Sequence, residues 1–205
     1  MTIRLHRGDL PELWRYRAAV AIDTETMGLD HRRDRLCVVQ LSPGDGSADV
    51  VQIPRDGARG AANLRALLAD PNLLKIFHFA RFDLGILYAT FGVMAGPVYC
   101  TKIASRLART YTDKHGLKDL TRDLLGIEVS KQQQLTDWGA DALTDSQVAY
   151  AATDVLHLHA LKEKLDSMLA REGREDLAAA CFRFLPDRVR LDLAGWAAED
   201  IFAHS

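Results

Sequence analysis

Apolar positions change their spacing near the middle of the chain. In the first half they form short runs: RAAVAIDTE at 17–25, LCVVQLSP at 36–43 and ADVVQIP at 48–54. Valine-rich runs bounded by turn formers predict strands, and PGDGS supplies the turn between the second and third. AANLRALLAD has helical spacing and ends at Asp70-Pro71. NLLKIFHF predicts a fourth strand, and ARFDLGILYATFG a helix closed by Gly92. The second half reads as helices: TKIASRLART, HGLKDLTRDLLG, a single long helix over 143–173, and the stretches 174–185 and 187–204. Thr144 predicts the N-cap of the long helix and Gly173 its stop. The fold class expected is α/β, a mixed β-sheet flanked by helices. Residues 1–173 are expected to form one domain, with 174–205 an appended C-terminal helical element of it.

Composition narrows the class. The 205 residues are 48% hydrophobic and 26% charged, within the range of ordinary globular proteins. Formal net charge is −2, so no global basic field marks a nucleic-acid partner, and phosphate binding would need local basic patches or bound metal. Cys37, Cys100 and Cys181 are widely spaced with no CxxC pair, which excludes a zinc ribbon and argues against a disulfide framework. The charged N-terminus is not a secretory signal, and no apolar run approaches the roughly 20 residues of a membrane helix. A reducing cytoplasm is the expected setting.

The candidate chemistry lies in acids set beside apolar segments: Asp23 and Glu25 in AVAIDTETMGL, Asp83 in IFHFARFDLGIL, and Asp154 with Tyr150 in YAATDVLHL. An unpaired charge in such places is costly, so three segments bearing one suggest a shared cation. Clustered carboxylates suit magnesium or manganese. Period-two geometry puts Asp23 and Glu25 on one face of a strand. Tyr150 and Asp154, four apart, share a helix face with Cβ atoms about 5–6 Å apart. Two divalent ions would activate a water and stabilise the leaving oxygen of a phosphoryl displacement, and a tyrosine hydroxyl would orient that water. Taken singly, each acid reads as a cap, turn or solvated residue, and Tyr150 as a packing residue. The combination in this order carries the signal.

DTETMGL, HFARFDLGIL and YAATDV resemble the three motifs of the DEDD 3′–5′ exonuclease superfamily. The tyrosine four residues before the last aspartate resembles its tyrosine subgroup. LCVVQLS, GLKDLTRDLLGIEVSK and LTDWGADALTDSQVAYAATDV extend the resemblance to the exonuclease domain of ribonuclease D, over roughly residues 19–165. The resemblance implies an RNase H-like fold, two Mg2+ or Mn2+ ions, and hydrolysis from single-stranded or frayed 3′ ends to nucleoside 5′-monophosphates, RNA favoured over DNA. It implies that Asp23 bridges both ions, Glu25 and Asp154 complete the water-activating site, Asp83 holds the second ion, and Tyr150 orients the water.

It further implies substrate contacts at Thr24, Thr26, Met27 and Leu29, with core packing the alternative for Met27 and Leu29. His78 is a candidate phosphate contact, with a strand-end histidine satisfied by backbone the alternative; Lys131, Gln134 and Trp138 are candidates for the groove, Trp138 being the more structural. Lys114, His115 and Lys118, with Arg32, Arg33 and Arg35, are the best local basic clusters for a phosphate backbone, a solvated face being the alternative. Phe79 stands where some relatives carry a smaller or amide residue, which alters the pocket near Asp83 but removes no ligand. Ribonuclease D proper has further helical nucleic-acid-binding domains, and this chain ends about fifty residues after Asp154, too soon for them, so the resemblance does not carry over substrate selection by such domains, including tRNA trimming. The competing readings are a DNA-trimming exonuclease, a non-catalytic nucleic-acid-binding protein on the same fold, and a phosphoesterase acting on small nucleotides. The stretch with Trp196, Ile201 and Phe202 either packs on its own domain or forms a dimer face.

Overall fold

The computed structural model describes residues 2–55, 60–129 and 136–204. Six strands form one sheet: β1 (Thr2–Arg7), β2 (Ala19–Thr26), β3 (Leu36–Ser42), β4 (Ser47–Gln52), β5 (Leu74–Phe77) and β6 (Val98–Cys100), in the order β1-β4-β3-β2-β5-β6. β3 is antiparallel to both β2 and β4, and the remaining pairings are parallel. Every residue of β3 and β4 is buried because helices cover both faces; the buried polar residues among them, such as Gln40, Asp49 and Gln52, have hydrogen-bond partners.

Alternation along the strands divides the core in two. Ile22, Val39 and Val51 face α1 (Ala62–Ala69), α2 (Ala80–Phe91) and α7 (Glu175–Leu191). Ala21, Val38 and Val50 face α3 (Thr101–Ala108), α5 (Asp145–Leu156) and α6 (Leu158–Arg171). α4 (Leu117–Leu120), a four-residue helix, continues directly into a π-helical turn over Thr121–Leu125.

Two strands and two helix boundaries differ from the sequence expectation. β1 is an edge strand paired in parallel with β4, with Ile3 packed on the core and Arg4 Nε paired with buried Asp49 of β4 at 2.7 Å; after the strand, Arg15 Nη1 and the Tyr16 hydroxyl meet the same carboxylate at 3.2 and 2.6 Å. β6 has only three residues. The expected long helix breaks at His157 into α5 and α6, so α5 can close on the sheet while Leu158, Leu161 and Leu165 of α6 are buried. α7 runs through Pro186, where a break was expected; burying Leu185 and Val189 on either side offsets the missing backbone hydrogen bond. The capping box at Thr144 and Gly173, left-handed at φ 63°, sit where predicted. Cys37, Cys100 and Cys181 are free thiols. Among the described residues no helix is long and apolar enough to cross a membrane.

Candidate metal centre and nuclease site

The site is assembled at the C-terminal end of β2. Strand alternation presents Asp23 and Glu25 on one face, and a register irregularity between Glu25 and Thr26 ends the regular pairing there. On that face lies α5. Its Ala151 and Ala152 are fully buried, and the small side chains let its backbone approach the sheet. Tyr150 and Asp154, one turn apart on α5, therefore reach the strand end. One carboxylate oxygen from each of Asp23, Glu25 and Asp154 lies within 4.8 Å of the other two.

Asp83 arrives from the opposite side of the strand. It occupies the first turn of α2, is buried, and accepts a hydrogen bond from Thr24 Oγ1 at 2.7 Å. Thr24 points away from Asp23 and Glu25, so consecutive residues of β2 serve acids on both sides. Asp83 lies outside the compact group of three oxygens yet close enough to act on it electrostatically.

Four carboxyls gathered here hold their protons above the ordinary range. Burial pushes Asp23 well up, and the charges of Asp83, Asp154 and Glu25 add to it. Burial raises Glu25 to about 8, and Asp83 and Asp154 to about 7. The hydrogen bond from Thr24 opposes the rise at Asp83, and the Tyr150 hydroxyl opposes it at Asp154. Tyr150 itself is raised, by burial and then by its acidic neighbours, so it keeps its proton. A site that binds extra protons for want of positive charge is chemically matched to divalent cations, whose hard-oxygen preference these ligands meet.

A cleft of about 330 Å³ opens over the carboxylates, with His78, Lys118 and Tyr150 among its walls. The sequence matches the 3′–5′ exonuclease family over residues 9–170. The chain belongs to that family.

The chain is 37% identical to ribonuclease D of Gluconacetobacter diazotrophicus over 82% of its own length and 42% of that protein's. It thus spans about two fifths of the curated relatives it matches. Two solved structures of Brucella melitensis NrnC align over 100% of both chains. The one with bound Mg2+ is 58% identical with a TM-score of 0.95, and the one bound to pGG is 59% identical with a TM-score of 0.96. The six-stranded sheet and its flanking helices are the RNase H-like exonuclease fold of these relatives.

The remaining candidate residues separate by position. Met27 and Leu29, for which core packing was the alternative, are exposed, Leu29 by 83%. The Thr26 hydroxyl donates to the Gly28 carbonyl at 2.5 Å and shapes the turn after β2. Trp138 is buried against Tyr150, ring centroids 6.1 Å apart. Arg33 pairs with Asp34, Arg32 donates to the Leu193 carbonyl, and Arg35 donates to the carbonyls of Leu36, Ile53 and Gly139; these arginines have structural partners. His115 contacts Ser105, whereas Lys118 faces the cleft. Lys131 and Gln134 lie outside the described residues.

His78 has a defined polarity. Its Nδ1 is 2.9 Å from Thr101 Oγ1, and that hydroxyl donates its own proton to the Phe77 carbonyl at 3.2 Å. With the hydroxyl proton assigned to Phe77, Nδ1 carries the ring hydrogen and Nε2 is an acceptor. Burial and the nearby Lys102 charge lower the imidazole to about 3, keeping it neutral. An acceptor suits a sugar hydroxyl rather than a phosphate oxygen.

Two residues of the site carried no motif. Gln40, fully buried in β3 and paired with Asp23 in register, donates to Asp23 Oδ2 at 2.9 Å. Thr101 fixes His78. A lone amide inside the apolar run LCVVQLS was the available signal for Gln40.

Proposed function

We propose that this chain hydrolyses nucleic acid from the 3′ end, RNA favoured, releasing nucleoside 5′-monophosphates, and that Asp23, Glu25, Asp83 and Asp154 hold two Mg2+ or Mn2+ ions for the purpose. The observation that carries this reading is the convergence of carboxylate oxygens from β2 and α5 within 4.8 Å, with Asp83 across the strand. Asp23, Glu25 and Asp154 fit one ion, and Asp83 with Asp23 the second. Such ions, when bound, lower the pKa of a water and stabilise the leaving oxygen.

The chain's own side chains do the positioning. Gln40 fixes the Asp23 carboxylate, and Thr24 fixes that of Asp83. Tyr150, held protonated, orients the attacking water beside Asp154 by hydrogen bonding. His78 Nε2 accepts from a hydroxyl of the terminal sugar. Lys118 offers a positive charge to a phosphate from the cleft wall. The relative bound to pGG matches the whole chain, which supports very short oligonucleotides as substrates. We take residues 174–205 as a helical extension of the exonuclease domain, since α7 contributes Leu185 and Val189 to its core.

Matched RNA and DNA strands labelled at either end, including dinucleotides, test the reading with Mg2+, Mn2+ or chelator. Metal-dependent release of 3′-terminal mononucleotides is expected, abolished by Asp23→Ala or Asp154→Ala with the fold intact. Appreciable hydrolysis by either variant rejects the site. Cleavage of DNA in preference to RNA favours the DNA-trimming alternative.

A further inference from the structure

Beside the cleft lies a second group of residues that the chemistry above does not use. Phe79, between β5 and α2, is the one non-glycine residue with positive φ among the described residues, at 65°. Left-handed backbone is costly for an aromatic residue, and such strain concentrates where a side chain must be held in one place. Here the ring is held at the surface, 46% exposed.

One face of the ring is occupied. Lys102 Nζ stands 4.3 Å from the ring centroid. Lys102 and Arg106 lie one turn apart on α3, and both border a cavity of about 310 Å³ that Phe79 also lines. Among the described residues neither cation has an ion pair with a carboxylate, whereas Arg81 and Arg188, on the same cavity, both pair with Asp192. Two such cations on the wall of one cavity are suited to an anion. Phe79 also lines a larger cavity of about 650 Å³, which Lys102 does not border, so another part of the ring is open to a flat partner. The group adjoins the reaction site: Phe79 follows His78 directly, and the Lys102 charge acts on the His78 imidazole.

We propose that Phe79, Lys102 and Arg106 form a nucleotide subsite, in which a base stacks on the Phe79 ring and its phosphate is held by the two cations. The subsite deepens the exonuclease reading and rests on it. The strained backbone fixes the stacking surface, Lys102 polarises it from one side, and Arg106 extends the positive charge along α3. Stacking tolerates any base, and the cations read only the phosphate, so the subsite selects nucleotide over other anions without selecting sequence.

The test measures binding apart from turnover. Titration calorimetry follows pGG binding in the Asp23→Asn background with Mg2+ present, over a series of salt concentrations. Lys102→Gln and Arg106→Gln keep the side-chain stems and remove the charges. Each is expected to weaken binding by about tenfold, as for loss of one charge-assisted hydrogen bond. Together they should reduce the slope of log affinity against log salt by about 0.7, for the one phosphate no longer neutralised. Phe79→Gly, which accepts the left-handed φ without strain, should weaken binding by about tenfold without lowering Tm.

Unchanged affinity and salt slope in the double glutamine variant overturn the subsite. So does a Phe79→Gly protein that binds as tightly as its parent. If the wild-type chain proves unable to hydrolyse oligonucleotides while these variants still lose pGG binding, the subsite stands and the exonuclease reading falls. Normal hydrolysis with unchanged binding in the variants rejects the subsite and leaves the exonuclease reading standing.

Discussion

Removing one acid from the ion-free site should stabilise the protein, and the effect should depend on pH. Asp154 is raised from 3.8 to about 7, mainly by burial. A carboxyl whose folded pKa lies above its unfolded value binds more protons when folded. Its contribution is present below pH 4 and is lost as pH rises to about 7. A rise of about 3 units corresponds to about 4 kcal/mol at 1.36 kcal/mol per unit, and the partial solvent contact of Asp154 reduces this to about 2 kcal/mol. For a chain of 205 residues that is about 4–8 °C in Tm. Asp23 feels the Asp154 charge as well, as does Glu25, so its removal relieves both.

The perturbation is Asp154→Asn, and the assay is thermal unfolding in chelator at pH 5 and pH 8. Between those values wild-type Tm should fall markedly and the variant's less, so that the variant is the more stable at pH 8. Added Mg2+ should reverse the order, because the wild-type site gains about 2.7 kcal/mol at a concentration 100 times its dissociation constant. A variant with the same pH dependence as wild type in chelator refutes the electrostatic account of the site.

Other outcomes follow from single contacts. Tyr150→Phe should lower kcat by about 100-fold while sparing the Mg2+-induced rise in Tm; steady-state kinetics checks the first part and thermal unfolding with and without Mg2+ the second. Gln40→Leu should raise the Mg2+ concentration needed for half-maximal activity by about tenfold, since the amide that orients Asp23 is lost; a metal titration of the rate reads this directly. Leu185→Ala should cost about 3 kcal/mol of stability by opening a cavity under α7, measurable as a lower denaturant midpoint at unchanged m. Thr144→Ala should cost about 1 kcal/mol through the lost cap of α5, read from the same denaturation curves.

Particular residues show how much the sequence carried. Asp23 and Glu25 were readable as a same-face pair because strand alternation is strict, and Tyr150 with Asp154 because a helix turn is fixed. The buried strands β3 and β4 announced themselves as apolar runs. By contrast β1 has no apolar signature, because it lies at the sheet edge, paired through its backbone to β4 and through Arg4 to Asp49, 45 residues away in sequence. The break at His157 was invisible in a helical pattern that continues without a change of period on either side. Pro186 pointed to a break that burial of Leu185 and Val189 overrode.

Local sequence was enough to settle which residues can do chemistry and which of them share a face, since backbone periodicity depends on little beyond near neighbours. It was enough for the family too, through motifs whose order and spacing leave few readings. Tertiary packing was needed for the rest: that α5 closes on β2 tightly enough to bring three carboxylate oxygens within 4.8 Å, that Thr24 serves Asp83 while its neighbours serve the other side, and that Gln40 steadies Asp23. Packing likewise sets which nitrogen of His78 faces the cleft and which cations stand beside Phe79. These features depend on segments far apart in the chain, where one buried alanine or one long-range hydrogen bond sets the distance, and no local pattern encodes that.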